Sequence, residues 1–380
     1  MPENNLVLAE VSVIIVNYNA RFFLKNCLES VHAAAEGTDA EIIVVDNHSS
    51  DGSCRMLEED YPGVHRICNS ENLGFSMANN QGASQARGEY LLILNPDTIL
   101  AEDTLKNLLA WFGRHPEAGA AGVSFIDGKG GFLPECKRNF PTVRVALMKL
   151  LGHSGGYYAS ALGSGENAPV EVLTGAFMFL RRSLFEQMGG FDEEFFMYGE
   201  DIDLSYRILQ AGYRNYYLGQ NTVIHYKGES TVKDSSYYRN FYGALRIFYN
   251  KHFGNNLVSL FLLPLLVETM ILLRSFSGKG VEKPAATCRN FVYLGQRKDV
   301  LDRLLQAFPD ARGVMTSEPD TIDVGADTLF LDSASIPFRE VVRLTAEPNL
   351  RQMAKRLVSK DGSYFLGSDS PDARGRVVPF

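Results

Sequence analysis

The 380-residue sequence contains a single tryptophan, Trp111, and five cysteines, Cys27, Cys54, Cys68, Cys136 and Cys288, none of them in a CxxC pair. Cysteines so scattered exclude a disulfide scaffold and a thiolate zinc site, and they suit a reducing compartment. Basic residues are outnumbered, 37 against 45 acids, for a formal net charge of −8. A general nucleic-acid binder needs a basic face, so that class is excluded. No GxxxxGK[ST] loop occurs, which removes the P-loop route to phosphates, and no GxGxxG follows the first apolar strand, which weakens a dinucleotide dehydrogenase. The first ten residues carry Glu3 and Glu10 and no basic leader, so no secretory signal is expected. Apolar material is plentiful: 45% of the residues are hydrophobic, enough for the cores of two or three domains.

The first hundred residues alternate strand and helix patterns. β-Branched runs at 11–16, 41–46, 64–68 and 89–94 predict strands, and apolar stripes at 22–35, 53–60 and 76–86 predict helices between them. This rhythm predicts an α/β domain with a mostly parallel sheet. Ligands collect at the carboxyl ends of such strands, where the polar clusters 17–19, 46–51 and 95–97 fall. Asp127-Gly128 reads as a hairpin turn, 153–169 as a Gly/Ser-rich loop, 172–180 as a strand and 201–211 as an amphipathic helix.

Asp46 and Asp97 are poor core residues, because a buried unpaired charge is costly. Asp46 can accept hydrogen bonds from a ribose or a base N–H, and Asp97 can hold a divalent cation on a diphosphate. Six acids lie between Asp192 and Asp203, and Glu200, Asp201 and Asp203 stand where a helix begins. They either cap that helix or supply a general base for a substrate hydroxyl. His225, after an apolar strand, is either structural or a metal ligand.

Six motifs in order, Val13-Ile14-Ile15-Val16-Asn17-Tyr18-Asn19, Val44-Val45-Asp46 through Ser53, Asn69 through Phe75, Asn95-Pro96-Asp97-Thr98, Gly189-Gly190-Phe191-Asp192-Glu193 and Glu200-Asp201-Ile202-Asp203-Leu204, resemble the family-2 glycosyltransferases of GT-A fold, in particular their rhamnosyltransferase-like branch. The resemblance spans about residues 11–253. It implies a Rossmann-like nucleotide-diphospho-sugar transferase domain and an inverting transfer of one sugar, a deoxyhexose such as rhamnose, to a hydroxyl of a glycan or polyprenyl-diphosphate-linked acceptor in cell-surface polysaccharide synthesis. It places Asn17, Asn19, Asp46, Asp51, Asn72, Gly74, Asn95 and Asp97 around the donor, with Phe75 on the pocket wall. Asp97 and His225 would bind Mg²⁺ or Mn²⁺; Asn95 replaces the first acid of the family's Asp-x-Asp. Asp201 matches the catalytic base, with Glu200 beside it as an acceptor contact. The Gln-x-x-Arg-Trp motif of processive relatives is absent. Lys137 and Arg138 would either meet a lipid diphosphate or be solvated. A nucleotidyltransferase of similar fold is the competing enzyme, although residues 17–21 lack its glycine-rich loop; a non-catalytic nucleotide-sugar-binding scaffold is the third reading.

These patterns divide the chain into a catalytic domain, 1–254, an apolar helical segment and linker, 255–287, and a small α/β accessory domain, 288–380. Residues 257–273 form the most apolar stretch, interrupted by Pro264 and Glu268. Seventeen residues are short for a span, and monotopic insertion beside the aromatic and basic stretch 237–251 fits better than a buried interdomain or dimer helix. The expected location is therefore cytoplasmic, at the inner face of the cell membrane, with a homo-oligomer left open. The accessory domain shows no catalytic set; Asp320, Asp323, Asp327 and Asp332 read as solvated acids, and residues 367–370 as a loop that could touch a phosphate.

Overall fold

A computed structural model describes residues 9–142, 145, 156–227, 235–253, 288–368 and 375–380. The apolar stretch 257–273, the linker 275–287 and residues 153–155 and 369–370 lie outside the described residues. In chain order the first part runs β1 (Val11–Asn17), α1 (Arg21–Ala35), β2 (Ala40–Asp46), α2 (Ser53–Asp60), β3 (His65–Cys68), α3 (Phe75–Ser84), β4 (Tyr90–Leu94), β5 (Thr98–Ile99), α4 (Thr104–Phe112) and β6 (Ala118–Ile126). It continues with β7 (Asn167–Val170), β8 (Phe177–Arg181), α5 (Arg182–Gln187), α6 (Glu200–Gln210), β9 (Arg214–His225) and α7 (Ser235–Phe253). The second part runs β10 (Asn290–Leu294), α8 (Lys298–Ala307), β11 (Arg312–Thr316), β12 (Thr328–Asp332), α9 (Phe338–Ala346), β13 (Ala354–Val358), β14 (Tyr364–Gly367) and β15 (Arg376–Pro379).

Strands of the first part form one sheet in the order β3-β2-β1-β4-β8-β6-β9-β5, with β7 on β9. Its first four strands are parallel, and Asn17 and Asp46 pair directly at their carboxyl ends. β8 then pairs antiparallel to β4, bringing Phe177 opposite Leu94. The β-branched runs of β1 and β2 are buried between helices, the arrangement parallel strands require. The loop expected at 153–169 ends in a strand instead: Asn167–Val170 pairs with β9. Of the strand expected at 172–180, only Phe177–Arg181 forms.

The second sheet, β11-β10-β12-β13-β14-β15, is parallel through β13 and antiparallel beyond it. Its core is not separate from the first part. Ala20, Phe23, Ile99, Ile126, Ile224 and Tyr226 form one buried cluster with Leu294, Leu331, Phe338, Val341, Tyr364 and Leu366. Polar contacts frame this junction: Asn26 Nδ2 donates to Tyr364 Oη at 3.0 Å, and Tyr364 Oη donates to the Phe22 carbonyl at 3.1 Å. Glu102 accepts from the N–H groups of Phe338 and Arg339 at 2.6 and 2.8 Å, so a carboxylate of one part caps a helix of the other.

Two expectations are corrected in these parts. Asp332 is not solvated: it is fully buried, paired bidentately with Arg297, and bonded by Tyr293 Oη at 2.8 Å and Ser335 Oγ at 2.6 Å. Cys54 and Cys68, unpaired by spacing, form a disulfide between α2 and β3. Among the described residues no helix is long and apolar enough to cross a membrane.

Candidate active site

The carboxyl ends of β1, β2 and β4 lie side by side, and the loops leaving them hold most of the expected residues. Asn17 Nδ2 donates to Asp46 Oδ2 at 2.8 Å and to Ser49 Oγ at 3.1 Å, while Asp46 Oδ1 accepts from Ser49 N–H at 2.9 Å. Asn17 Oδ1 is buried without a hydrogen-bond partner among the described residues. Asn19, at φ 53°, uses Oδ1 to accept from Ser50 N–H at 2.8 Å. These bonds lock the two strand-end loops together.

Asn47 organises the next wall. Its Nδ2 donates to Asn72 Oδ1 at 2.8 Å and the Gly74 carbonyl at 3.1 Å, and its Oδ1 accepts from Leu73 N–H at 3.0 Å. Gly74 sits at φ 84°, where an added Cβ would meet the Phe196 carbonyl oxygen at 2.5 Å. Glycine is required there, because φ is left-handed and the neighbouring backbone leaves no room. The Phe75 N–H donates to that same carbonyl at 2.7 Å.

The Asn95–Thr98 turn lies on α1: Thr98 Oγ1 donates to the Asn95 carbonyl at 2.9 Å, and Cys27 Sγ is 3.6 Å from both groups. Burial beneath this turn pushes the Cys27 thiol up to about 12. Because Thr98 pairs with His225 across β5 and β9, the Asp97 and His225 side chains meet, with Oδ1 and Nε2 3.3 Å apart. Among the described residues neither Asp97 Oδ1 nor His225 Nδ1 has a hydrogen-bond partner, although both residues are buried. A separation near 3 Å is that of neighbouring ligands on one cation with bonds of about 2.0–2.2 Å, so the pair fits a divalent metal. Among the described residues no third His, Cys, Asp or Glu joins them. Diphosphate oxygens and water would complete such a shell.

Sequence reasoning missed Glu135. Its Oε1 lies 2.8 Å from Lys227 Nζ, two residues beyond His225. Burial works to raise this carboxyl, but the Lys227 ammonium and the nearby imidazole hold it below its ordinary value. A Pro134-Glu135-Cys136 turn carries no motif, so only the fold reveals the neighbour.

Helix α6 starts from Gly199, left-handed at φ 83°, and its first turn carries Glu200, Asp201 and Asp203, all buried. Asp203 is structural: Arg207 Nε donates to it at 2.7 Å, His252 Nε2 is 2.6 Å away and Lys251 Nζ 3.0 Å away. Asp201 Oδ2 accepts from Gly175 N–H at 3.1 Å, and Gly175 adjoins Ala176, whose carbonyl takes the Asn95 N–H at 3.0 Å. The carboxylate is thus tied to the end of β4, two residues from Asp97. Phe75 joins the same place: a Cβ on Gly175 would lie 3.2 Å from its ring. Burial, then the Asp201 charge, raises the Glu200 carboxyl to about 8, and Glu200 Oε2 has no partner.

Known proteins share this arrangement of sequence. The model of glycosyl transferase family 2 matches residues 12–189, and that described as the N-terminal domain of galactosyltransferase matches 159–231. An N-acetylglucosaminyl-diphospho-decaprenol L-rhamnosyltransferase of Mycobacterium tuberculosis is 31% identical over 240 residues, 58% of this chain and 78% of the relative. The chain belongs to glycosyltransferase family 2. Rhamnosyltransferase WbbL of Escherichia coli is 28% identical over 223 residues, covering 57% of this chain and 83% of that one. A solved mannosyltransferase from Pyrobaculum calidifontis, in complex with GDP-Man and Mn²⁺, is similar with a TM-score of 0.46 and 18% identity, over 72% of this chain and 76% of that one.

In this family-2 glycosyltransferase, several expected site residues are occupied by the scaffold. Asp51 accepts from Arg21 N–H at 2.8 Å and from Ser53 N–H at 3.0 Å, which makes it a cap for α1 and α2. Asn72 shapes its own loop: its Oδ1 takes the Gly74 N–H at 3.0 Å as well as Asn47 Nδ2. Lys137 and Arg138 are not solvated; both are buried, Lys137 against the Leu162 carbonyl and the rings of Phe132 and Tyr217.

Proposed function

We propose that this glycosyltransferase moves a deoxyhexose, with rhamnose the first candidate, from a nucleoside-diphosphate donor to a hydroxyl of a glycan or polyprenyl-diphosphate-linked acceptor in cell-surface polysaccharide synthesis. The observation that carries the reading is one strand edge bearing both Asp97 with His225 and, joined to Asn95 by two hydrogen bonds through the adjacent Ala176 and Gly175, the Asp201 carboxylate. The Mycobacterium tuberculosis and Escherichia coli relatives, both rhamnosyltransferases, support rhamnose, and the N-acetylglucosaminyl-diphospho-decaprenol acceptor of the former supports a lipid diphosphate.

Asn17 and Asp46 would hold the base and ribose, with the Asn72–Phe75 wall on one side; their hydrogen-bonded strand-end loops support this reading. Mg²⁺ or Mn²⁺, when bound by Asp97 and His225, supplies positive charge against the diphosphate. Asp201 takes the proton of the acceptor hydroxyl as that oxygen bonds to the anomeric carbon. The anomeric carbon–phosphate oxygen bond breaks in the same displacement, and the nucleoside diphosphate leaves with the bonding pair, so configuration inverts. One base suffices. On this reading residues 1–254 carry the transfer, 288–380 brace them, and the apolar segment within 255–287 would bring the enzyme to the inner membrane face.

A panel of nucleotide sugars, with Mn²⁺ and a polyprenyl-diphosphate N-acetylglucosamine acceptor, tests the reading. The expected result is transfer from a deoxyhexose donor and thermal protection by that donor. Transfer of a nucleotidyl group from an NTP, with no sugar moved, would overturn it.

A further inference from the structure

Arg138 is a buried guanidinium whose partners lie at the catalytic carboxylate. The chain delivers it there by backbone pairing on Val172, with Arg138 N–H donating to the Val172 carbonyl at 3.2 Å and Val172 N–H returning to the Arg138 carbonyl at 3.0 Å. Its Nη2 donates to Asp201 Oδ2 at 2.6 Å and also to the Leu173 carbonyl, and Nη1 is 3.4 Å from Tyr157 Oη. Both partners of the ion pair are about nine-tenths buried, so little water screens it.

Counting lone pairs identifies what this contact does. Each carboxylate oxygen offers about two acceptor sites. Asp201 Oδ2 uses both, on Arg138 Nη2 and Gly175 N–H, whereas among the described residues Oδ1 accepts only from Ile202 N–H at 2.7 Å. One site is left, on Oδ1. Resting on the reading of Asp201 as the base, we propose that Arg138 is a positioning residue of the transfer, which turns the Asp201 carboxylate so that Oδ1 alone is free to take the acceptor proton. The arrangement also explains how two adjacent acids share one buried helix start. The guanidinium compensates the charge on Asp201, while burial and then the Asp201 charge push the Glu200 carboxyl toward its neutral form. A lysine would supply charge without the planar fork that Leu173 and Tyr157 hold in place.

The test measures turnover of dTDP-rhamnose with Mn²⁺ and an N-acetylglucosaminyl-diphospho-polyprenol acceptor, alongside donor affinity, for Arg138→Ala, Arg138→Lys, Asp201→Asn and the pair Arg138→Ala/Asp201→Asn. Arg138→Ala should lose about 100-fold or more in kcat while donor affinity stays within about twofold. Guanidinium chloride at millimolar concentration should restore part of that loss, and Arg138→Lys should lie between the two. In the Asp201→Asn background, Arg138→Ala should cost nothing further, because the group it positions is gone. If Arg138→Ala does not fold, Arg138→Lys carries the test through its kcat and unchanged donor affinity. Wild-type kcat in the folded Arg138 variant, with Asp201→Asn inactive, would overturn the positioning role alone. An active Asp201→Asn would overturn the base assignment and this proposal together.

Discussion

His225 Nε2 stands 3.3 Å from Asp97 Oδ1 because a two-residue strand, Thr98–Ile99, pairs with the end of β9. Asp97 Oδ1 is buried with no hydrogen-bond partner among the described residues and faces His225 Nε2, so the two atoms can share a cation. Replacing Asp97 or His225 by alanine should weaken Mn²⁺-dependent nucleotide-sugar binding by roughly ten- to a hundredfold, the scale of one charge-assisted contact. Calorimetric titration of the donor with Mn²⁺ and again in EDTA checks this. The wild type and both variants should bind alike once the metal is removed.

The Glu200 carboxyl, raised to about 8 by burial and then by Asp201, makes stability depend on pH. Between its ordinary value of 4.5 and about 8, the folded chain holds a proton that the unfolded chain has released. Stability therefore falls as pH rises through that window, by at most about 1.4 kcal/mol per pH unit. Glu200→Gln mimics the protonated carboxyl and lacks the titration. Thermal unfolding from pH 5 to 8 should show a steeper fall in Tm for the wild type than for this variant.

Lys355 gives the opposite sign. Burial in β13, then the nearby Lys129 charge, lowers its ammonium to about 8, with Nζ donating to the Lys129 carbonyl at 3.2 Å. From about pH 8 to 10.5 the unfolded chain holds the proton that the folded chain has lost, so stability gained from this residue rises with pH. Wild-type Tm should climb relative to that of Lys355→Met across that interval, as differential scanning fluorimetry would show.

Because Phe23 and Tyr226 belong to the same buried cluster as Phe338 and Tyr364, the two sheets should melt together. Phe23→Ala should cost about 3–5 kcal/mol. Glu102→Ala, which uncaps α9, should cost about 0.5–2 kcal/mol. Calorimetry should give one transition for the wild type and for Glu102→Ala.

Much of this was legible in the sequence, where pattern and burial agree. The β-branched runs of β1 and β2, the stripe of α1 and the acids opening α6 stand in the structure within a residue or two of the expected positions. β6 was not legible, because Ala118–Ile126 is rich in alanine and glycine. Its small residues are needed by packing: a Cβ on Gly119 would meet Ile208 of α6 at 2.4 Å, and one on Gly122 would meet Leu173 at 3.1 Å. β13 escaped notice because Lys355 and Arg356 interrupt a strand that is nonetheless buried. Arg138 and Asp332 were misread for a related reason: charges lie at the surface unless paired, and their partners, Asp201 and Arg297, are distant in sequence. Asp51, by contrast, stands just ahead of a helix start at Ser53, a capping signal that the sequence did contain.

The role of Asp201 is tested most directly by comparing nucleotide-sugar turnover and binding in Asp201→Asn with those of the wild type. The amide should fall in kcat by about 10²- to 10⁴-fold while binding the donor and Mn²⁺ as the wild type does. Turnover at the wild-type rate would contradict the account.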